Sequence, residues 1–292
     1  MSKLRIGNSE FEWGKKTYLV GIINVTPDSF SGDGLMTDGN WIDRAVEQGR
    51  MQETDGAHML DVGGESTRPG STPVSLEEEL RRVIPVIEAL AKVVKVPISI
   101  DTYRAETARR ALDAGAKIIN DVWSFKMDVD MPKVAAQYGT VVILMHNRSK
   151  PKQVSKEEAL GGRYVGMEYD DLVSDIKREL LESAQQALDA GISKENIILD
   201  PGIGFGKTVE QNLELVYRLR EFDDIGYPLL VGLSRKSFVG YTLNLPPEER
   251  LEGTAAAVAL CIERGADIVR VHDVKAMNRV VTFTDAVVRG RL

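Results

Sequence analysis

The chain has 292 residues, with 37 basic against 44 acidic side chains for a formal charge of −7, 43% apolar content and one cysteine. The acidic balance argues against a sequence-independent nucleic-acid surface, which needs a strong positive field to engage phosphates, and the lone Cys261 excludes an intramolecular disulfide and argues against a thiolate zinc site. No run of about 18 uncharged apolar residues occurs, and the first residues lack an apolar signal core, so neither a membrane span nor secretion is expected and the chain reads as cytoplasmic.

Residues 1–17 predict a short cap. Beyond them, short apolar runs flanked by helical patterns predict buried parallel strands at 18–24, 58–63, 97–102, 117–122, 140–145, 196–201, 228–232 and 267–272. Between them, helical segments are expected at 40–54, 75–94, 104–114, 168–190, 210–222 and 247–264. Ser75 with Glu78 predicts a capping box, Gly115 and Gly191 sit where a left-handed helix end favours glycine, and Leu172, Ile176, Leu180, Ala184 and Leu188 keep one apolar face. The stretch 146–166, rich in Lys, Ser, Gly and Arg, reads as a mobile lid, the alternative for a loop of this length being disorder.

Eight strands in 292 residues give about 36 residues per βα unit, and right-handed crossovers close such a series into a barrel. The expected fold class is therefore α/β, a single (β/α)8 TIM barrel with a short N-terminal cap, one domain over 1–292 with its core from about residue 18. A doubly wound open sheet is the alternative that strand counting leaves open.

In a barrel, chemistry sits where the strands end. Here the ends read N-V-T-P-D-S-F (24–30), D-V-G-G-E-S-T-R-P-G (61–70), D-T (101–102), N-D (120–121), M-H-N (145–147), D-P-G-I-G-F-G-K (200–207), S-R-K-S-F (234–238) and R-V-H-D (270–273). Any one polar end could cap a loop, but eight converging ones are poorly explained that way. Asp101, Asn120, Asp200 and Lys236 would present acceptors, an amide and a cation to a flat polar heterocycle, because an N–C–N edge wants a carboxylate that takes two hydrogen bonds. The competing reading is an Asp–Lys pair that only satisfies buried charge. Arg68, Arg270 and His272, with Asn24 and Thr67, would form a positively biased cluster suited to phosphate or diphosphate, whose oxygens a divalent cation such as Mg2+ would bridge to a side-chain oxygen such as that of Asn24. Arg270 could instead lie over the heterocycle. His58 reads as a packed or surface histidine. The string G-F-G-K-T lacks the first glycine of a phosphate-binding loop, since Pro201 stands there, so a P-loop ATPase is disfavoured.

Taken together and in order, N-V-T-P-D-S-F, G-G-E-S-T-R-P-G, D-P-G-I-G-F, S-R-K-S-F and R-V-H-D resemble the dihydropteroate synthase family, from Gly21 to the C-terminal helix. The resemblance implies condensation of 6-hydroxymethyl-7,8-dihydropterin diphosphate with 4-aminobenzoate, giving 7,8-dihydropteroate and diphosphate in folate biosynthesis. It implies pterin binding by Asp101, Asn120, Val122, Met145, Asp200, Lys236 and Arg270, and diphosphate contacts from Asn24, Thr67, Arg68, Arg270 and His272. Asn24 would be the Mg2+ ligand. Phe30, Thr67, Pro69, Phe205, Lys236 and Ser237 would border aminobenzoate, where sulfonamides compete. Asp101, Asp200, Lys236 and Arg270 would carry catalysis, through a carbocation-like pterin that the carboxylates favour, and a homodimer through late barrel helices is implied. In the first loop, S-F-S-G-D-G-L displaces Asp33 by one place from the family's usual pattern, which puts its role in doubt. A non-catalytic pterin-binding paralogue and a pterin-dependent methyltransferase are the alternatives.

Overall fold

The computed structural model describes residues 3–26, 40–66, 73–149, 154–157, 160–164 and 166–290. The expected cap is an antiparallel hairpin of β1 (Lys3–Ile6) and β2 (Ser9–Glu12). Strand alternation puts Leu4, Ile6 and Phe11 on one face, and together with Trp13 they pack on Tyr18, the Phe11 and Tyr18 ring centroids lying 4.8 Å apart. The hairpin thus closes the floor of the structure with apolar surface. Phe11→Ala is expected to cost about 3–5 kcal/mol, read as a lowered urea midpoint at unchanged slope. A cost below about 1 kcal/mol would mean that the hairpin does not seal the floor.

Next come β3 (Tyr18–Asn24), β4 (Met59–Gly63), β5 (Ile98–Asp101), β6 (Ile118–Asp121) and β7 (Val141–Met145). A second hairpin, β8 (Val154–Glu157) with β9 (Gly161–Tyr164), precedes β10 (Ile197–Asp200), β11 (Leu230–Gly232) and β12 (Ile268–Val271). Eight of these form one parallel sheet in the order β10-β7-β6-β5-β4-β3-β12-β11, and a parallel bridge between Leu199 and Leu229 joins its two edges. The fold is the expected (β/α)8 barrel, not an open sheet.

Helices α1 (Trp41–Thr54), α2 (Leu76–Leu90), α3 (Ala105–Asp113), α4 (Met131–Tyr138), α5 (Leu172–Asp189), α6 (Val209–Tyr217), α7 (Ser237–Leu243), α8 (Leu251–Glu263) and α9 (Val274–Arg289) follow the strands. The 210–222 segment is not one helix but α6 followed by a 3-10 turn, Leu219–Phe222. Only half of the Ser75 capping box forms: Ser75 Oγ accepts from the Glu78 amide at 3.2 Å, while the Glu78 carboxylate is taken by Arg81 and Arg82. The reciprocal box is instead at Thr208 and Gln211, opening α6. The stretch read as a lid carries the β8–β9 hairpin, whose buried Tyr164 lies 6.3 Å from the Phe205 ring.

Alternation along the strands positions everything that follows. Outward residues such as Leu19, Leu60, Ile119, Leu144, Leu199 and Val269 join the core beneath the helices. Inward residues Val20, Met59, Ile118, Ile143, Ile198, Leu230 and Ile268 fill the barrel floor with the hairpin. Two residues further along, the inward positions are Ile22, Asp61, Asn120, Met145, Asp200, Gly232 and Arg270, with Asp101 in line beside Asn120 and Gly63. Above an apolar floor, the interior therefore turns polar within one layer.

Candidate active site

That layer is joined through Arg270. Its Nε donates to Asp61 Oδ2 at 2.6 Å and its Nη2 to Asp101 Oδ2 at 2.9 Å, while Asn120 Nδ2 donates to the same Asp61 oxygen at 3.0 Å. Burial holds the Asp101 carboxyl well above the usual carboxylate range; the Arg270 guanidinium pulls it back down, and neighbouring Asp61 adds to the rise. Arg270 is thus bracketed by two carboxylates, which neither expected placement, anion cluster or ring-stacking position, included. Asp61 was missed. The signal was available, because it stands two residues before Gly63 on the inward face of its strand.

On the opposite side, Asp200 is buried and its Oδ1 accepts from the Gly202 amide at 2.7 Å. Burial raises this carboxyl, and the Lys236 ammonium counters the rise. Lys236 in turn is pushed down to about 7 by burial, with Asp200 opposing the shift. Its Nζ donates to the Ile203 carbonyl and lies 4.4 Å from the Phe205 ring centroid, a cation over an aromatic face. Gly204 is obligatory here: its φ is +85°, and a Cβ would stand 2.3 Å from Lys236 Cδ.

Between the two sides, Val122 and Met145 form an apolar cluster with Trp123, against which Tyr103 and Phe205 pack. Trp123 and Tyr103, 5.0 Å apart edge to face, are further wall residues that strand-end reading did not single out. His272 Nδ1 stands 2.9 Å from Ser234 Oγ, Ser237 opens α7 directly after Lys236, and Asn24 ends β3 in register with Gly63. The structure therefore gathers Asp101, Asn120, Val122, Met145, Asp200, Phe205, Lys236 and Arg270 at one barrel mouth. Phe30, Asp33, Thr67, Arg68 and Pro69 lie outside the described residues. Asp61, Asp101 and Asp200 thus face Arg270 and Lys236 across the mouth.

Two histidines are structural. His58 packs edge-on to Tyr18, and its Nδ1 accepts from the Leu19 amide at 3.1 Å; burial, aided by Lys16, pushes its pKa down to about 4. Burial, aided by Lys207, pushes His146 down to about 4 as well. Unfolded imidazoles take up protons below about 6.5, whereas these two do so only near 4, so the unfolded chain binds more protons in between. These two histidines therefore contribute a loss of stability as pH drops from about 6.5 towards 5, opposed by Asp101 and Asp200, whose raised carboxyls bind protons in the folded state over the same window. Urea midpoints of wild type and His58→Gln across that window check it: the wild type should lose stability relative to the variant as pH falls, and a difference between them that is constant with pH would contradict it.

A family model described as pterin binding enzyme matches residues 20–272. A dihydropteroate synthase of Clostridium beijerinckii is 49% identical over 98% of this chain and 100% of its own length. Among solved structures, a dihydropteroate synthase of Clostridium difficile determined in the presence of pteroic acid shares 46% identity over 96% of this chain and 99% of its own, with a TM-score of 0.86. The Yersinia pestis dihydropteroate synthase in a sulfonamide drug complex superposes with a TM-score of 0.89 at 38% identity, covering 98% and 99% of the two chains.

Proposed function

This chain belongs to the dihydropteroate synthase family, and on that premise we propose that its barrel mouth joins the pterin methylene of 6-hydroxymethyl-7,8-dihydropterin diphosphate to the amine of 4-aminobenzoate. It is a transferase; the products are 7,8-dihydropteroate and diphosphate. The observation that carries the site assignment is the convergence of Asp101, Asn120, Asp200 and Lys236 from four strand ends around Val122, Met145 and Phe205.

A pterin offers donors on its aminopyrimidine edge and acceptors at ring nitrogens and carbonyl. Asp200 and Asp101 supply carboxylate acceptors, Asn120 an amide and Lys236 a donor, while Val122, Met145 and Phe205 supply apolar surface for the ring. The carbon–oxygen bond breaks with its electron pair leaving on diphosphate, and the aniline nitrogen attacks the methylene and releases its proton. Positive charge that develops on the pterin in this step is favoured by the carboxylates of Asp101 and Asp200, and Arg68, Thr67 and His272 would receive the departing anion. Phe30, Pro69 and Ser237 would border the aminobenzoate. An aniline is already a free-base nucleophile at neutral pH, so positioning matters more than deprotonation, in keeping with His58 and His146 being locked in structural contacts.

Among the described residues no group of three or more His, Cys, Asp or Glu could hold a metal. The donor set fits Mg2+ carried by the substrate, which keeps water and takes phosphate oxygens, with Asn24 offering one amide oxygen. Bound there, Mg2+ would supply charge neutralisation at the leaving diphosphate. Pure protein with both substrates is expected to release diphosphate and dihydropteroate one for one, to stop with a chelator and to resume with added Mg2+. No condensation product would overturn the reaction assigned here, and indifference to the chelator would overturn the metal alone. Exposed Leu243, Leu260, Phe283 and Val287 on α7, α8 and α9 support a homodimer through these late helices, and we place the enzyme in the cytoplasm.

A further inference from the structure

Lys207 has the lysine position of the G-F-G-K-T string, yet it is no phosphate ligand: it is 2% exposed and turned back into its own loop. Its Nζ donates to the Gly202 carbonyl at 3.0 Å and the Phe205 carbonyl at 3.1 Å, and lies 3.3 Å from His146 Nδ1. An ammonium has three N–H donors and no acceptor, and here it meets three acceptors. For Nδ1 of His146 to accept, the ring proton must sit on Nε2, which faces Glu179 Oε2 at 3.1 Å. Glu179 is held from its other side by Arg148, whose Nε donates to Oε1 at 2.8 Å. Neutral His146 is what its burial favours. The chain Arg148–Glu179–His146–Lys207 therefore runs from the segment after β7 to α5, back to the end of β7 and into the loop after β10, with each polar atom in its proper role.

That loop bears on both sides of the mouth. The Gly202 amide holds Asp200, the Ile203 carbonyl receives Lys236, the Gly204 amide donates to Asn212 Oδ1 at 2.5 Å, and the Phe205 ring lies beneath the Lys236 ammonium. A Cβ on Gly202 would lie 2.0 Å from the His146 carbonyl, so the loop and the end of β7 are in closest approach where Lys207 ties them. We propose that Lys207 is a positioning residue, whose ammonium, spent on Gly202, Phe205 and His146, fixes the 202–205 turn that presents Phe205 and Lys236 to the substrates. This rests on the condensation assigned above, and Lys207 itself touches neither reactant.

The test compares Lys207→Met, Phe205→Leu and the double variant with wild type, reading kcat, both KM values and thermal unfolding. Lys207→Met is expected to unfold cooperatively and to raise the aminobenzoate KM about tenfold with kcat within about threefold. In the Phe205→Leu background the same change should raise it by a clearly smaller factor, because one of the two groups that the turn presents is already gone. An unaltered KM in folded Lys207→Met, or an undiminished factor in the double variant, would overturn the proposal. Should Lys207→Met fail to fold, His146 supplies the second arm. His146→Asn, whose amide oxygen can replace Nδ1 as acceptor, should stay within about twofold of wild type, whereas His146→Leu should raise the aminobenzoate KM about fivefold. Equal behaviour of the two would refute the role. An inactive wild type would refute the condensation itself, whereas an active wild type with these effects missing refutes the positioning alone.

Discussion

Asp101→Asn is expected to lower kcat by about 10²–10³-fold while leaving the fold intact. The substitution keeps size and one acceptor oxygen but removes the negative charge that favours a cationic pterin. Its structural cost is contained, because Arg270 retains the 2.6 Å bond to Asp61 when the 2.9 Å bond to Asp101 is weakened. Steady-state kinetics with a thermal melt on the same protein separate the two effects. A wild-type rate would remove Asp101 from the reaction, and a rate lost only with the fold would make it structural.

Lys236→Met has the second large effect, and it appears in activity and stability together. The variant loses the donor to Ile203 and the counter-ion of Asp200. With one polar partner of the substrate gone, kcat/KM is expected to fall by about 10²-fold or more. Stability at neutral pH is expected to fall by about 3 kcal/mol, since a buried carboxylate is left without its cation. Without Lys236 the Asp200 carboxyl, already raised by burial, rises further. A carboxyl whose folded pKa lies above its unfolded value binds more protons when folded, so the difference from wild type should shrink as pH falls from 7 towards 4. Urea titrations of both proteins at several pH values check this, and a deficit that is constant with pH would mean that Asp200 is not the residue left unpaired.

The barrel was legible because parallel strands covered on both faces appear as short apolar runs, and each of these ended in residues that a packed core has no use for. Asn120, Asp200 and Lys236 announced themselves by standing at such ends. Asp61 heads one of these ends as well, but only two-residue alternation from Met59 shows that it faces inward. The bracketing of Arg270 joins residues 209 and 169 positions apart, and no local pattern encodes a contact of that separation. The β8–β9 hairpin was hidden by a composition of Lys, Ser and Gly that lacks strand periodicity, and it is anchored from elsewhere, by Arg250 donating to the Leu160 carbonyl at 3.0 Å. Glu78 matched a capping box in spacing, but two arginines on the next turn, Arg81 and Arg82, compete for its carboxylate and win.

A crystal structure of the protein with pterin diphosphate and Mg2+ tests the central assignment most directly. The expected result places the pterin edge on Asp101, Asn120, Asp200 and Lys236, its ring against Val122 and Met145, and the diphosphate towards His272 with the metal at Asn24. A pterin seated away from these four polar side chains, or a diphosphate with no contact to His272 or Asn24, would contradict it.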